Sequence, residues 1–111
     1  TPTRRQRQMC IRDRSVDEAI FAARNVGLYT LVALQDAIGS LDRVEQVVRT
    51  FGMVNAAPGF TEHPRVIDGF SNLFIDIFGE KGRGARSAVG MSSLPFNIPV
   101  EVEITIKILA E

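Results

Sequence analysis

Apolar residues recur along this chain with two periods, and the places where the period changes mark out its elements. From Val16 onward, Ile20, Ala23, Gly27, Leu31, Leu34 and Ile38 fall three and four apart, the stripe of an amphipathic helix. Ser15-Val16-Asp17-Glu18 in front of it reads as a capping box, with Asp17 and Glu18 at the positive end of the helix dipole. Gly39 supplies a left-handed stop, so the pattern predicts a helix over Val16–Ile38. Val16, Ala19, Ala22, Val26 and Ala33 widen the stripe, and the helix is expected to be heavily buried. Its small residues suit close approach to a sheet, and Tyr29 is expected at the rim, partly covered.

After a polar connection at residues 40–43, the run Val44–Asn55 is rich in β-branched and aromatic types with apolar residues on both faces, the mark of a central strand. Pro58-Gly59 marks a turn. Val66, Ile67, Phe70, Leu73, Phe74, Ile77 and Phe78 return to helical spacing, predicting a second helix over residues 64–78 with Pro64 in its first turn. Phe51, Phe70, Phe74 and Phe78 are expected in the core, and His63 as a solvated capping residue. Residues 79–84 read as a flexible basic loop, Ala85–Met91 as a short strand, residues 92–99 as a turn-rich link, and residues 100–109 as a strand. In that last strand Val102, Ile104, Ile106 and Ile108 alternate with Glu101, Glu103, Thr105 and Lys107. Two helices over one face of a mixed sheet is the economical arrangement, a two-layer α+β domain. Three strands are few for two such helices, which suggests N-terminal strands outside this sequence.

With 111 residues the chain has room for one small domain. Its formal net charge is zero, but residues 1–14 carry five arginines against one aspartate, leaving the remainder mildly acidic. The tail shows neither helical nor strand periodicity and is expected to be disordered. One reading makes it a basic arm for RNA or lipid. The other is that QMCIRDR, residues 8–14, resembles translated sequencing adapter of the kind found at the ends of metagenomic reading frames, in which case residues 15–111 are the domain and its true start is lost. A single cysteine, Cys10, makes no internal disulfide and fits a reducing compartment; a single histidine argues against a Ser-His-Asp triad and excludes a multi-histidine zinc site. No apolar run approaches the length of a membrane span, and the tail lacks the apolar stretch of a signal peptide, so a cytoplasmic location is the default. Gly79, Gly82 and Gly84 have the wrong spacing for a phosphate loop.

Candidate chemistry therefore falls on the last two strands. If Val89 and Met91 pack on the helices, Arg86, Ala88 and Gly90 lie on the face they leave open; if the isoleucines of the final strand also pack there, Glu101 joins them. A guanidinium fork can take a carboxylate bidentately, Glu101 can orient and deprotonate water, and Ala88 leaves room for a ligand. A surface salt bridge or a polar subunit interface accounts for the same pattern, Glu103 is best read as a polar interface residue, and Asn72 is read as surface rather than cleft.

Gly84-Ala85-Arg86-Ser87-Ala88-Val89, then Leu94-Pro95, then Val100-Glu101-Val102-Glu103, resembles the C-terminal signature of the YjgF/RidA family, also labelled endoribonuclease L-PSP, and the upstream order of elements is similar too. The resemblance implies a chorismate mutase-like fold and a homotrimer with ligand sites between subunits. It also implies cofactor-free hydrolysis of reactive 2-imino or 2-enamino acids to 2-keto acids and ammonia. Arg86 would hold the substrate carboxylate and Glu101 would activate water. Gly84 and Ala88 depart from the proline and cysteine common in that family, and no pocket asparagine is recognisable around residues 68–72, the features of a divergent subgroup. A non-catalytic trimer that binds small carboxylates is the alternative. A ribonuclease is disfavoured, because the acidic body lacks a basic stripe with interleaved aromatics.

Overall fold

The computed structural model describes residues 9–11 and 14–110, with side chains from residue 14 onward. Two short strands, β1 (Met9–Ile11) and β2 (Arg14–Ser15), form an antiparallel ribbon beside the first helix, so part of the tail expected to be disordered is paired. Cys10 lies in β1, while residues 1–8 lie outside the described residues. Helix α1 spans Val16–Ile38 as the pattern predicts. Its capping box is complete: the Glu18 amide donates to Ser15 Oγ at 3.2 Å, and the Ser15 amide donates back to the Glu18 carboxylate. Gly39 closes the helix at φ 87°, its amide donating to the Gln35 carbonyl.

Central strand β3 (Val44–Asn55) pairs parallel with β4 (Ala85–Met91) and antiparallel with β5 (Val100–Ile108), in the order β4-β3-β5. Helix α2 (His63–Phe78) lies beside α1, and the pair covers one face of this sheet, a two-layer α+β domain. The core between the layers holds Ala19, Ala23 and Leu31 of α1, Val66, Ile67, Phe70, Leu73 and Phe74 of α2, and Val47, Val54 and Val100 of the sheet.

Three expectations about packing change. The small residues of α1 serve helix–helix approach: a Cβ on Gly27 would lie 2.8 Å from Leu73 Cδ2 of α2, and one on Gly69 would collide with the Ile20 carbonyl. The helix is also not buried all round, since Phe21 is 64% and Tyr29 78% exposed on its outer side. The expected flexible loop at residues 79–84 is instead a 3₁₀ turn over Gly79–Gly82 seated on the end of α2, where Gly82 is buried against the Phe74 carbonyl.

Register fixes which side chains share a face. Thr50 stands between Arg86 and Ile104, Gly52 between Ala88 and Val102, and Val54 between Gly90 and Val100. Ile67 of α2 lies directly over Gly52, so this is the helix-covered face. Phe51, beside Ser87 and Glu103, and Met53, beside Val89 and Glu101, occupy the face that no described helix covers. Phe51 is therefore half-buried under the Arg49 guanidinium rather than in the core, where Phe70 and Phe74 stack as expected. The link from β4 to β5 is anchored by Asn55, 2% exposed, whose Nδ2 donates to Asn97 Oδ1 at 2.9 Å and to the Ile98 carbonyl at 3.1 Å.

Candidate functional site

Arg86 enters the helix-covered face one residue into β4, where α2 and the 3₁₀ turn leave a gap at the sheet edge. Residues 68, 71, 72 and 75 of α2 follow helical spacing along the side that borders this gap, presenting Asp68, Ser71, Asn72 and Ile75. The guanidinium meets them directly: Nη1 donates to Asp68 Oδ1 at 2.7 Å and lies 3.4 Å from Ser71 Oγ. Opposite, Gly82 and Gly84 run so close to the Phe74 and Val47 carbonyls that neither position has room for a Cβ, which leaves bare backbone as the wall. Buried Thr50 forms the floor, and Arg83, paired with Glu80 at 3.4 Å, stands at the mouth. The enclosed volume is about 190 Å³, space for a small organic acid together with water.

The hydrogen bonds of Arg86 all fall on Nη1; among the described residues its Nε and Nη2 edge meets no acceptor. That free edge is the side of a guanidinium that takes a carboxylate through two parallel bonds. The side chain is 27% exposed, so such a pair would be partly shielded from solvent and stronger than a surface ion pair. Hydroxyls of Thr50 and Ser71 and the Asn72 amide line the same space and can donate to or accept from the rest of a ligand.

Arg86 and Glu101 are not brought together. The condition for their meeting, Val89 and Met91 packed on the helices, is reversed by the register: Arg86, Ala88 and Gly90 face the helices, while Val89 and Met91 share the uncovered face with Glu101. Size decides the matter, because α2 lies so low over β4 that a Cβ on Gly90 would collide with the His63 ring. Glu101 is half-buried beside Met53, with the sheet between it and the cavity. Ala88 packs against the core and does not line the cavity. Glu103 is exposed on the uncovered face. His63, expected to be solvated, is half-buried and edge-on to Phe60 at 5.2 Å.

Asp68 and Ser71 went unrecognised in the sequence, and Asn72, read as surface, borders the cavity. Their spacing along α2 was the available signal, though it also describes an ordinary solvated helix side. Among the described residues no group of three or more His, Cys, Asp or Glu side chains could hold a metal ion, and no helix is long and apolar enough to cross a membrane.

Residues 4–107 match a family model described as "YjgF/chorismate_mutase-like, putative endoribonuclease". Protein TCP17 of Trypanosoma cruzi is 43% identical over 95 residues, which cover 85% of this chain and 59% of that protein. Among solved structures, protein Atu1372 of Agrobacterium tumefaciens, described as of unknown function, superposes with a TM-score of 0.85 at 41% identity, over 87% of this chain and 63% of its own. A "putative endoribonuclease" of Shewanella oneidensis superposes with a TM-score of 0.83 at 33% identity, over 87% of this chain and 64% of its own. The chain thus spans about three fifths of the length of these relatives.

Proposed function

Because this chain belongs to the YjgF/chorismate mutase-like family, we propose that its Arg86 cavity binds a small carboxylate and is the substrate-holding part of a hydrolytic deaminase for 2-imino or 2-enamino acids. The observation that carries the reading is the free Nε and Nη2 edge of Arg86, set in a cavity lined besides by hydroxyl, amide, backbone and apolar groups, by the Asp68 carboxylate and, at its mouth, by Arg83 paired with Glu80. The reaction adds water across the C=N bond of a protonated imino acid and releases the 2-keto acid and ammonium. The carbon is already electrophilic, so the protein has to supply orientation and a route for protons. Glu101 serves as the water activator only if a second copy brings it to the cavity, since the sheet separates the two residues within one chain. A homotrimer joined through the uncovered face is consistent with half-buried Phe51, Val89 and Met91 there.

The second reading, a carboxylate-binding protein without turnover, is favoured by that same separation. Ammonia release from freshly generated 2-iminobutyrate decides between them. Release by the wild type and its loss in Arg86→Ala support the deaminase; stabilisation by 2-ketobutyrate without ammonia supports the binding protein. If neither the rate nor the melting temperature changes in Arg86→Ala, the carboxylate assignment is wrong.

A further inference from the structure

We infer that Thr50 determines the specificity of the cavity: its hydroxyl bonds the oxygen or nitrogen on the carbon next to a ligand's carboxylate, so that 2-oxo and 2-imino acids are selected over plain carboxylates. The inference rests on the reading above that Arg86 receives the carboxylate, and it adds a second point of attachment. Thr50 lies in the middle of β3 and is only 5% exposed. Its hydroxyl nevertheless has no hydrogen-bond partner among the described residues. The oxygen is not sealed off, and the residue floors the cavity, so the little surface it keeps opens there. Buried polar groups in folded proteins are nearly always paired. An unpaired hydroxyl at the bottom of a cavity marks the place of a ligand atom, or of the water that the ligand displaces.

Direction singles out Thr50 among the polar groups of the cavity. Asp68 and Ser71 lie on the Nη1 side of the guanidinium, so a carboxylate on the Nε and Nη2 edge sends its second carbon away from both. Nε is the nitrogen nearest the sheet, and Thr50 is the register partner of Arg86, its side chain rising from the same face of the neighbouring strand. Asn72 is exposed, and Arg83 at the mouth is held by Glu80. The cavity holds about 190 Å³, which keeps an anchored four-carbon acid close to the floor. A hydroxyl also suits both ends of the proposed hydrolysis, since it accepts from the N–H of an iminium and, rotated, donates to the carbonyl oxygen of the 2-keto acid. A plain carboxylate sets a methylene there and leaves the buried hydroxyl unpaired, the arrangement by which sites reject a ligand lacking a polar atom.

Calorimetric titration of the full chain with 2-ketobutyrate and with butyrate isolates the oxygen, since the two share a carbon skeleton and a carboxylate. The wild type is expected to bind the keto acid about fivefold more tightly. Thr50→Val keeps the shape and removes the hydroxyl; it should bring the ratio close to unity, chiefly by weakening the keto acid, while Thr50→Ser keeps the preference. Without ligand Thr50→Val should melt no lower than the wild type, because the hydroxyl holds nothing in the protein. A ratio unchanged in Thr50→Val, a wild type without preference, or a valine variant that melts several degrees lower overturns the inference and leaves Arg86 as a plain carboxylate anchor. Binding of both ligands unaffected by Arg86→Ala, or no binding of either by the wild type, overturns the carboxylate reading itself. Should Thr50→Val fail to fold by circular dichroism, the ratio in Thr50→Ala takes its place, with the same two outcomes.

Discussion

Arg86 and Glu101 lie on opposite faces of one sheet, because Arg86 stands beside Thr50 and Glu101 beside Met53, an odd number of residues apart on a regular stretch of β3. Ligand binding in the cavity should therefore respond to one and not the other. Arg86→Ala is expected to weaken 2-ketobutyrate binding by at least about tenfold, the loss of a charge-assisted bond pair. Glu101→Gln should leave the affinity within about twofold. Isothermal titration checks both. Equal losses in the two variants mean that Glu101 of a second copy completes the site.

That possibility has its own test. If imine hydrolysis uses Arg86 of one copy and Glu101 of the next, neither single variant releases ammonia, but a refolded mixture of Arg86→Ala and Glu101→Gln chains regains it. Random assembly of a cyclic oligomer pairs an intact arginine with an intact glutamate at about one site in four, so about a quarter of wild-type activity is expected. A mixture as inactive as its components removes Glu101 of a neighbouring copy from the mechanism.

Helix α2 keeps its place over β4 because the two helices pinch together at Gly69, under the Ile20 carbonyl. Gly69→Ala has to push backbone against backbone, and the cost is about 1–3 kcal/mol of stability. For a domain of this size that lowers the melting temperature by about 4–8 °C for each kcal/mol. Carboxylate affinity should fall with it, since the cavity side of α2 moves. Ser71→Ala, one turn-edge away and open to the cavity, should melt within a degree or two of the wild type. A Gly69→Ala protein with unchanged melting and affinity shows that the helices separate without cost.

The boundaries of α1 and β3 were legible because each is set by strong local chemistry: a capping box at Ser15, Gly39 in the left-handed region, and a β-branched run ended by Asn55. The face assignment of β4 was not. Hydrophobicity marks the core only when one face of a sheet is wet, and here Phe51, Met53 and Val89 also make the second face apolar. What separates the faces is size, since Gly52 lies beneath Ile67 and Gly90 beneath His63, contacts that depend on how low α2 rides and that no window of sequence contains. The cavity wall of Asp68, Ser71 and Asn72 was hidden for the same reason: its partner Arg86 lies on a strand after a turn, and only the tertiary fold brings them together.

Asn55 is the polar residue on which the approach to β5 depends. Its amide nitrogen ties the Asn97 side chain and the Ile98 carbonyl, its backbone amide donates to the Pro99 carbonyl, and Asn97 itself sits at φ 56°, a conformation the link must hold. Asn55→Ala keeps the backbone bond but strips the other two acceptors of their donor in a part-buried site, at a cost of about 1 kcal/mol. Asn55→Asp is expected to be worse, because it sets a carboxylate against two oxygen acceptors. Urea unfolding reads both as a lower midpoint with unchanged slope. Since the link delivers Val100 to the core and Glu101 to the uncovered face, loosening it should disturb the proposed association through that face before it disturbs the proposed carboxylate binding at Arg86. Light scattering alongside titration separates the two, and a variant that loses ligand affinity while keeping its assembly state contradicts this placement of the link.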